Sequence, residues 1–299
     1  PVMTSNPTRT LDISAKRHTI GASLKKGLNM FRRSLTLILS LLISAPVYAH
    51  EFWISPVNYE VAPDEPIEAH FRVGQGFSGG SHSFLTRYAT RHGMVHLGQN
   101  IDITARNGDR PAFQHPGLPN GLAVLVHETT DSRLTYKDYE KFVAFVEHKD
   151  FVGQPETHLV RGLPEVGFVE SYRRFAKSLV SIGDGAGQDG PVGLDIEIVA
   201  LANPYTDDLS NGMQVRVLME GQPRADVQVE VFQRAFGTKE TAKITLYQTN
   251  SDGIATFPVA AGQEYMIDNV ALIPVEPEVQ GNPVWHSLWA NLTFNVPAN

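Results

Sequence analysis

The chain of 299 residues is 42% hydrophobic and 19% charged, with 25 glycines, 19 prolines and no cysteine. That composition excludes a disordered chain and a disulfide-stapled mini-protein, and the missing cysteines exclude disulfides, thiolate metal sites and a lipidated cysteine anchor. The formal charge of −7 is unevenly spread, because residues 1–49 hold seven Lys/Arg and a single acid and leave the remainder at net −13; such an acidic body argues against nucleic acid as a partner and suits cations.

The front of the chain reads as an address label. From Met30 the order is Met30-Phe31-Arg32-Arg33, an apolar run from Leu35 to Ile43, and then Ala45-Pro46-Val47-Tyr48-Ala49. These are the basic, apolar and cleavage regions of a secretory signal peptide over residues 30–49, with small residues at the positions the peptidase reads. The apolar run is shorter than the roughly 20 residues that span a bilayer, so no stable membrane insertion is expected after cleavage. Residues 1–29 read as an upstream extension without ordered structure, and the mature protein is expected in the periplasm.

Cleavage after Ala49 makes His50 the first residue. Amine and imidazole nitrogens give up their protons readily to a competing metal at neutral pH, so the two nitrogens of this residue are expected to chelate one ion together. Nitrogen ligands of this kind suit Cu, Ni, Co or Zn, and a third nitrogen from another histidine would complete a T-shaped brace.

Beyond His50 the pattern is mostly period two. Ile67, Ala69, Phe71 and Val73 alternate with Glu68, His70 and Arg72, the mark of a half-buried strand. A flexible turn over 74–80 follows, then strand-like runs at 91–97, 100–105 and 122–128. The period changes over Thr135 to Asp150, where Tyr139, Phe142, Val143 and Val146 recur at helical spacing behind a Thr135 cap. A second short helix is expected over Glu165–Ala176, with Arg173, Arg174 and Lys177 on a solvated or interdomain face. The glycine-rich stretch 183–193 lacks the context of a phosphate loop and reads as a turn. Residues 203–208 read as a polar linker. After it, short strands at 214–219, 227–232, 242–248, 254–259, 265–272 and 292–296, with a glycine-bearing hairpin turn at 249–253, make an all-β sandwich. The fold expectation is therefore mainly β: a first β-sandwich domain with an inserted helical segment over 50–202, and an immunoglobulin- or transthyretin-like sandwich over 203–299.

Three blocks carry a resemblance: the mature start His50-Glu51-Phe52-Trp53-Ile54-Ser55-Pro56, the run Glu170-Ser171-Tyr172-Arg173-Arg174-Phe175-Ala176-Lys177-Ser178-Leu179, and the ending from Trp285 to Phe294. Together they resemble the DUF4198 family of exported bacterial proteins, many of which are labelled as periplasmic components linked to nickel or cobalt uptake. The resemblance implies export, a two-domain β architecture and a metal role. Many relatives carry a histidine where this chain has Val270-Ala271-Leu272, and some carry one where it has Gln75.

Candidate partners for His50 follow from the remaining histidines. His127 ends the 122–128 strand, an end that an antiparallel sandwich brings near the start of the first strand. His148 closes the amphipathic helix and His158 follows ten residues later, so one of the two is expected to converge on His50 across a flexible connection. His92 and His96 stand about 13 Å apart on one strand face, too far for one ion. His70 is expected exposed, and His286 at the rim of the second sandwich. Trp285 and Trp289 fit core packing better than a sugar platform, and Glu128, Glu147, Asp150, Glu156 and Glu165 default to solvated surface. No nucleophile elbow, zincin helix, Walker loop or kinase motif is present.

The leading reading is a periplasmic accessory protein that captures nickel, cobalt or copper through His50, with His127, His148 and His158 as further metal ligands, and presents it to a membrane transporter or an envelope protein. The rivals are a non-catalytic envelope interaction module and a copper-brace monooxygenase.

Overall fold

Alternating burial along one strand after another organises the molecule, which the computed structural model describes over residues 50–298. The signal peptide and the upstream extension expected over residues 1–49 lie outside the described residues. In chain order the first half runs β1 (Glu51–Pro56), β2 (Glu60–Val61), β3 (Ile67–Gln75), β4 (Ser78–His82), β5 (Ala89–His96), β6 (Gln99–Asp102), β7 (Phe113–His115), β8 (Gly121–Thr129) and β9 (Ser132–Thr135). Two helices follow, α1 (Tyr139–His148) and α2 (Gln154–Val160), and then β10 (Val169–Ile182) and β11 (Ile196–Ala200). The second half holds β12 (Met213–Met219), β13 (Gln222–Pro223), β14 (Gln228–Ala235), β15 (Lys243–Gln248), β16 (Ile254–Phe257), β17 (Gln263–Pro274) and β18 (Pro283–Val296).

The expected mainly β class is what the structure has. A central ten-stranded sheet runs β15-β14-β17-β18-β10-β8-β5-β6, with β2 and β9 also paired to β10. Its strands bury both faces. On β8, Leu122, Val124 and Val126 point into one core while Ala123 and Leu125 point into another; on β18, Leu288, Ala290, Leu292 and Phe294 oppose Trp285 and Trp289. One face packs against the small sheet of β11, β12, β13 and β16. The other is covered by the sheet of β1, β3, β4 and β7 and by the aromatic side of α1. Residues on either side of position 203 therefore share one sheet and one core, through β10 paired to β18.

Several expectations change. The stretch Glu165–Ala176 is not a helix; it enters β10, a 14-residue strand lying parallel to β18, with Glu170 opposite Trp285 and Arg174 opposite Trp289. Lys177 is not on a solvated face: it is 1% exposed and its ammonium contacts Asp189 at 2.8 Å and Glu197 at 3.8 Å. The cap of α1 is Asp138, whose carboxylate accepts from the Glu140 N–H, rather than Thr135. The 203–208 stretch is not a free linker, since buried Asn203 donates its amide to the carbonyls of Gly185 and Gly187 and the Tyr205 hydroxyl donates to Leu179 O. Among the described residues no helix is long and apolar enough to cross a membrane.

Candidate functional site

Strand β1 fixes where His50 emerges. Its antiparallel pairing with β3 sets Glu51 opposite Gly74 and Phe52 opposite Val73, and one further step of that register puts His50 opposite Gln75. The β3–β4 hairpin closes so tightly that a Cβ on Gly74 would lie 1.9 Å from Ser78 O, which restricts the position to glycine. His50 is exposed, and its main-chain carbonyl accepts a hydrogen bond of 3.1 Å from Arg174 Nη2.

A cavity of about 160 Å³ opens beside His50, with Arg133, Lys141, Arg174, Tyr172 and Trp289 among its walls. Alternation on β10 explains the set: Glu170, Tyr172 and Arg174 face this side, while Arg173 and Lys177 face the other. Arg173 there meets Asp131 at 2.8 Å and Glu128 at 3.4 Å. The Arg174 guanidinium lies over the Tyr172 ring at 4.8 Å. Below it, buried Glu170 accepts from the Tyr136 hydroxyl at 2.7 Å and from the Ser287 hydroxyl, which in turn accepts from Trp289 Nε1 at 2.9 Å. Burial raises the Glu170 pKa against those two hydrogen bonds. A larger neighbouring cavity of about 350 Å³ also has Tyr172 and Arg174 in its wall, together with His82 and His127.

On the far side of β1 from Phe52 sits a buried group of charges. Glu51 is 4% exposed and its Oε2 has no hydrogen-bond partner; burial, reinforced by the charge of Asp268, pushes its pKa up to about 8. Lys149, just after α1, bridges Glu230 and Asp268 at 2.9 Å each and lies 5.1 Å over the Trp289 ring. Burial alone would lower the Lys149 pKa, but the two carboxylates reverse that and hold it above its ordinary value.

The histidines expected to join His50 go to different places. His148 Nε2 contacts Glu230 Oε1 at 3.1 Å, at the outer edge of the charged group. His158 lies in the short helix α2 rather than a flexible connection: its Nδ1 accepts from Trp285 Nε1 at 3.0 Å, and its Nε2 bonds Pro164 O at 3.1 Å. With one ring nitrogen accepting and the other donating, no lone pair is left for a metal. His127 is buried, with its ring 4.2 Å from Phe71, 5.7 Å from Phe52 and 5.3 Å from its cross-strand partner His92. Burial lowers the pKa of both, that of His92 to about 4. His96 binds Leu122 O and His92 binds Ala112 O, so that pair serves separate contacts. His70, expected exposed, is half-buried with an unpartnered Nδ1, and His286 bonds the Ser171 hydroxyl at 2.7 Å.

Among the described residues no group of three or more His, Asp or Glu side chains stands close enough to hold a metal ion. The residues that surround His50 in their place, Arg133, Lys141, Arg174, Tyr172 and Glu51, come from β9, α1, β10 and β1. The available signal was the alternation Glu170-Tyr172-Arg174, legible once that block is taken as a strand.

The sequence model of one family, described as a domain of unknown function (DUF4198), matches residues 47–271. No curated protein matches the chain.

Proposed function

The chain belongs to the DUF4198 family, and from that premise we propose that it is an exported periplasmic accessory protein that captures a transition-metal cation, nickel, cobalt or copper, at His50 and presents it to an uptake system. Its partner in that hand-over is a membrane transporter or an envelope protein. Removal of residues 1–49 turns the His50 nitrogen into a free amine, which closes a chelate ring with the imidazole of the same residue.

One observation carries the reading: His50 is an exposed residue at the edge of a cavity, and the fold holds it by its backbone carbonyl, bonded to Arg174, which leaves its ring to a ligand. His127 and His82 belong to the neighbouring cavity, where the His127 ring is packed among Phe52, Phe71 and His92.

The test inserts a glycine between Ala49 and His50 in the full precursor, so that processing leaves one residue ahead of the histidine. Proteins recovered after export are checked by mass spectrometry and titrated with Ni(II), Co(II) and Cu(II). Affinity for at least one of the three is expected to fall by about tenfold or more in the insertion variant, because the chelate ring loses its amine. Equal affinities for all three metals overturn the reading.

A further inference from the structure

The cavity beside His50 is lined by cations. Arg133, Lys141 and Arg174 all border it, and among the described residues none of the three forms an ion pair, whereas Arg173, Lys177, Lys149 and Arg234 elsewhere each have carboxylate partners. The one carboxyl group in that wall, Glu170, is already engaged by Tyr136 and Ser287. Two exposed cations without a carboxylate partner, Arg133 and Lys141, are gathered here beside Arg174, whose charge is also felt by the buried Glu51 and Asp268, although residues 50–299 are net −13. Such a lining repels a bare dication and attracts anionic oxygens.

The donor count points the same way. His50 supplies two nitrogens at most, and no other His, Asp or Glu cluster of metal-holding geometry is present among the described residues. First-row divalent ions take about four to six ligands. The remaining positions must be filled from outside the chain.

We infer that the cargo is a metal chelate with negative charge: a transition-metal ion already wrapped by a small polycarboxylate of the citrate class. The inference rests on the metal reading above and names its substrate. On binding, a His50 nitrogen replaces one water or chelator oxygen on the metal, and the displaced proton of the amine goes to solvent. The chelator's free carboxylate oxygens meet the Arg174 fork, which its stacking on Tyr172 holds in place, and the exposed Arg133 and Lys141. Leu134, Phe145 and Trp289 cover the methylene side. At about 160 Å³ the cavity is smaller than the roughly 300–1,000 Å³ of pockets for drug-sized molecules, so the chelator is small.

The experiment uses the protein recovered after export and compares three titrants in a non-coordinating buffer: Ni(II) alone, Ni(II) with one equivalent of citrate, and citrate alone. The chelate is expected to bind at least about tenfold more tightly than either component, and its affinity to fall as salt is raised. In the double variant Arg133→Ala/Lys141→Ala the chelate is expected to lose about tenfold or more, while Ni(II) alone binds no more weakly, since two positive charges have left the neighbourhood of a cation. Both residues are exposed, and an unchanged melting temperature verifies the fold. A chelate no tighter than Ni(II) alone, citrate alone as tight as the chelate, or equal losses for both titrants in the double variant overturns the inference. The glycine insertion separates the two failures: if it weakens Ni(II) alone while the chelate has no advantage, His50 remains a metal ligand and only the chelate is wrong.

Discussion

His50 and His158 are the same side chain in opposite situations. His158 is fully buried, ringed by Phe168 at 4.4 Å, Tyr139 at 5.2 Å and Phe142 at 5.3 Å, and both of its nitrogens are consumed by Trp285 and Pro164. His50 is exposed, and the bond that holds it is made by its backbone carbonyl, so the ring takes no part in holding the fold. Hydrogen-bond accounting thus separates a histidine that frames the protein from one that is available to a ligand, because a buried ring nitrogen left unpaired costs about 1–3 kcal/mol whereas an exposed one costs nothing. Trp289 borders the His50 cavity together with Phe145, on whose ring it stacks, and lies under the Lys149 ammonium.

The largest effect is expected where that frame carries charge. Lys149→Met leaves Glu230 and Asp268 buried without their shared ammonium, and removal of one partner from a buried ion pair costs about 3–5 kcal/mol. Urea denaturation at neutral pH reads this directly. A variant as stable as the wild type would mean that the two carboxyls are neutral in the folded protein and that the floor under His50 carries no net negative charge. Next in size is His158→Ala, which opens a cavity among four aromatic rings and strands the Trp285 indole N–H; about 2–4 kcal/mol of stability is expected to go. Metal affinity after export should stay that of the wild type, and a parallel loss of affinity would put His158 back among the ligands.

Which of these two regions could be read from the chain alone depended on how many faces of a strand are buried. β3 was plain because only one face is covered: Ile67, Ala69 and Phe71 are buried while Glu68, His70 and Arg72 are half-exposed. β10 was not, because most of it is packed on both faces and two of its charges are met by residues far away or further along, Lys177 by Asp189 and Glu197 and Arg173 by Asp131. Its parallel partner β18 lies more than a hundred residues later, and a long-range parallel pairing leaves no local signal. As a candidate, His50 was legible from the expected processing pattern. Its surroundings were not: Arg133 is brought next to β10 by the β9 pairing opposite Ser171, and Lys141 by the docking of α1 on the aromatic cluster around Trp289. Each cation was visible as a residue, but their convergence is a property of the sheet.

Between the exposed and the fully bonded histidine stands the pair of half-buried His92 and buried His127, each with its Nδ1 atom out of water and unpartnered. Burial holds His92 neutral down to about pH 4 in the folded protein, while the unfolded chain takes up that proton near pH 6.5. Over the window from about 6.5 down to 4 the unfolded state therefore binds more protons, and stability falls as the pH falls. Glu51, held protonated up to about pH 8, contributes with the opposite sign over part of the same range, so the measurement must be a difference. Between pH 7 and pH 5 the wild type is expected to lose about 1–2 kcal/mol more than His92→Phe, after allowance for the partial exposure of the ring. Parallel pH profiles for the two proteins would mean that water reaches the pair freely.

The smallest expected change in stability is the one that matters most for function. In His50→Ala the lost ring is exposed and the Arg174 bond to the backbone carbonyl at position 50 survives the substitution, so denaturation should shift by less than about 0.5 kcal/mol. Alanine keeps the free amine after processing and lacks the imidazole, whereas the glycine insertion keeps the imidazole and displaces the amine. If both nitrogens grip one ion, the two changes should weaken metal binding to a similar degree, and combining them should add little, because a chelate broken at either end is already lost. If they act additively, the amine and the ring hold the metal independently. An alanine variant that is both as stable and as tight as the wild type would leave His50 as decoration on the mouth of the cavity and move the search for the ligand to Glu51 and the charged floor beneath it.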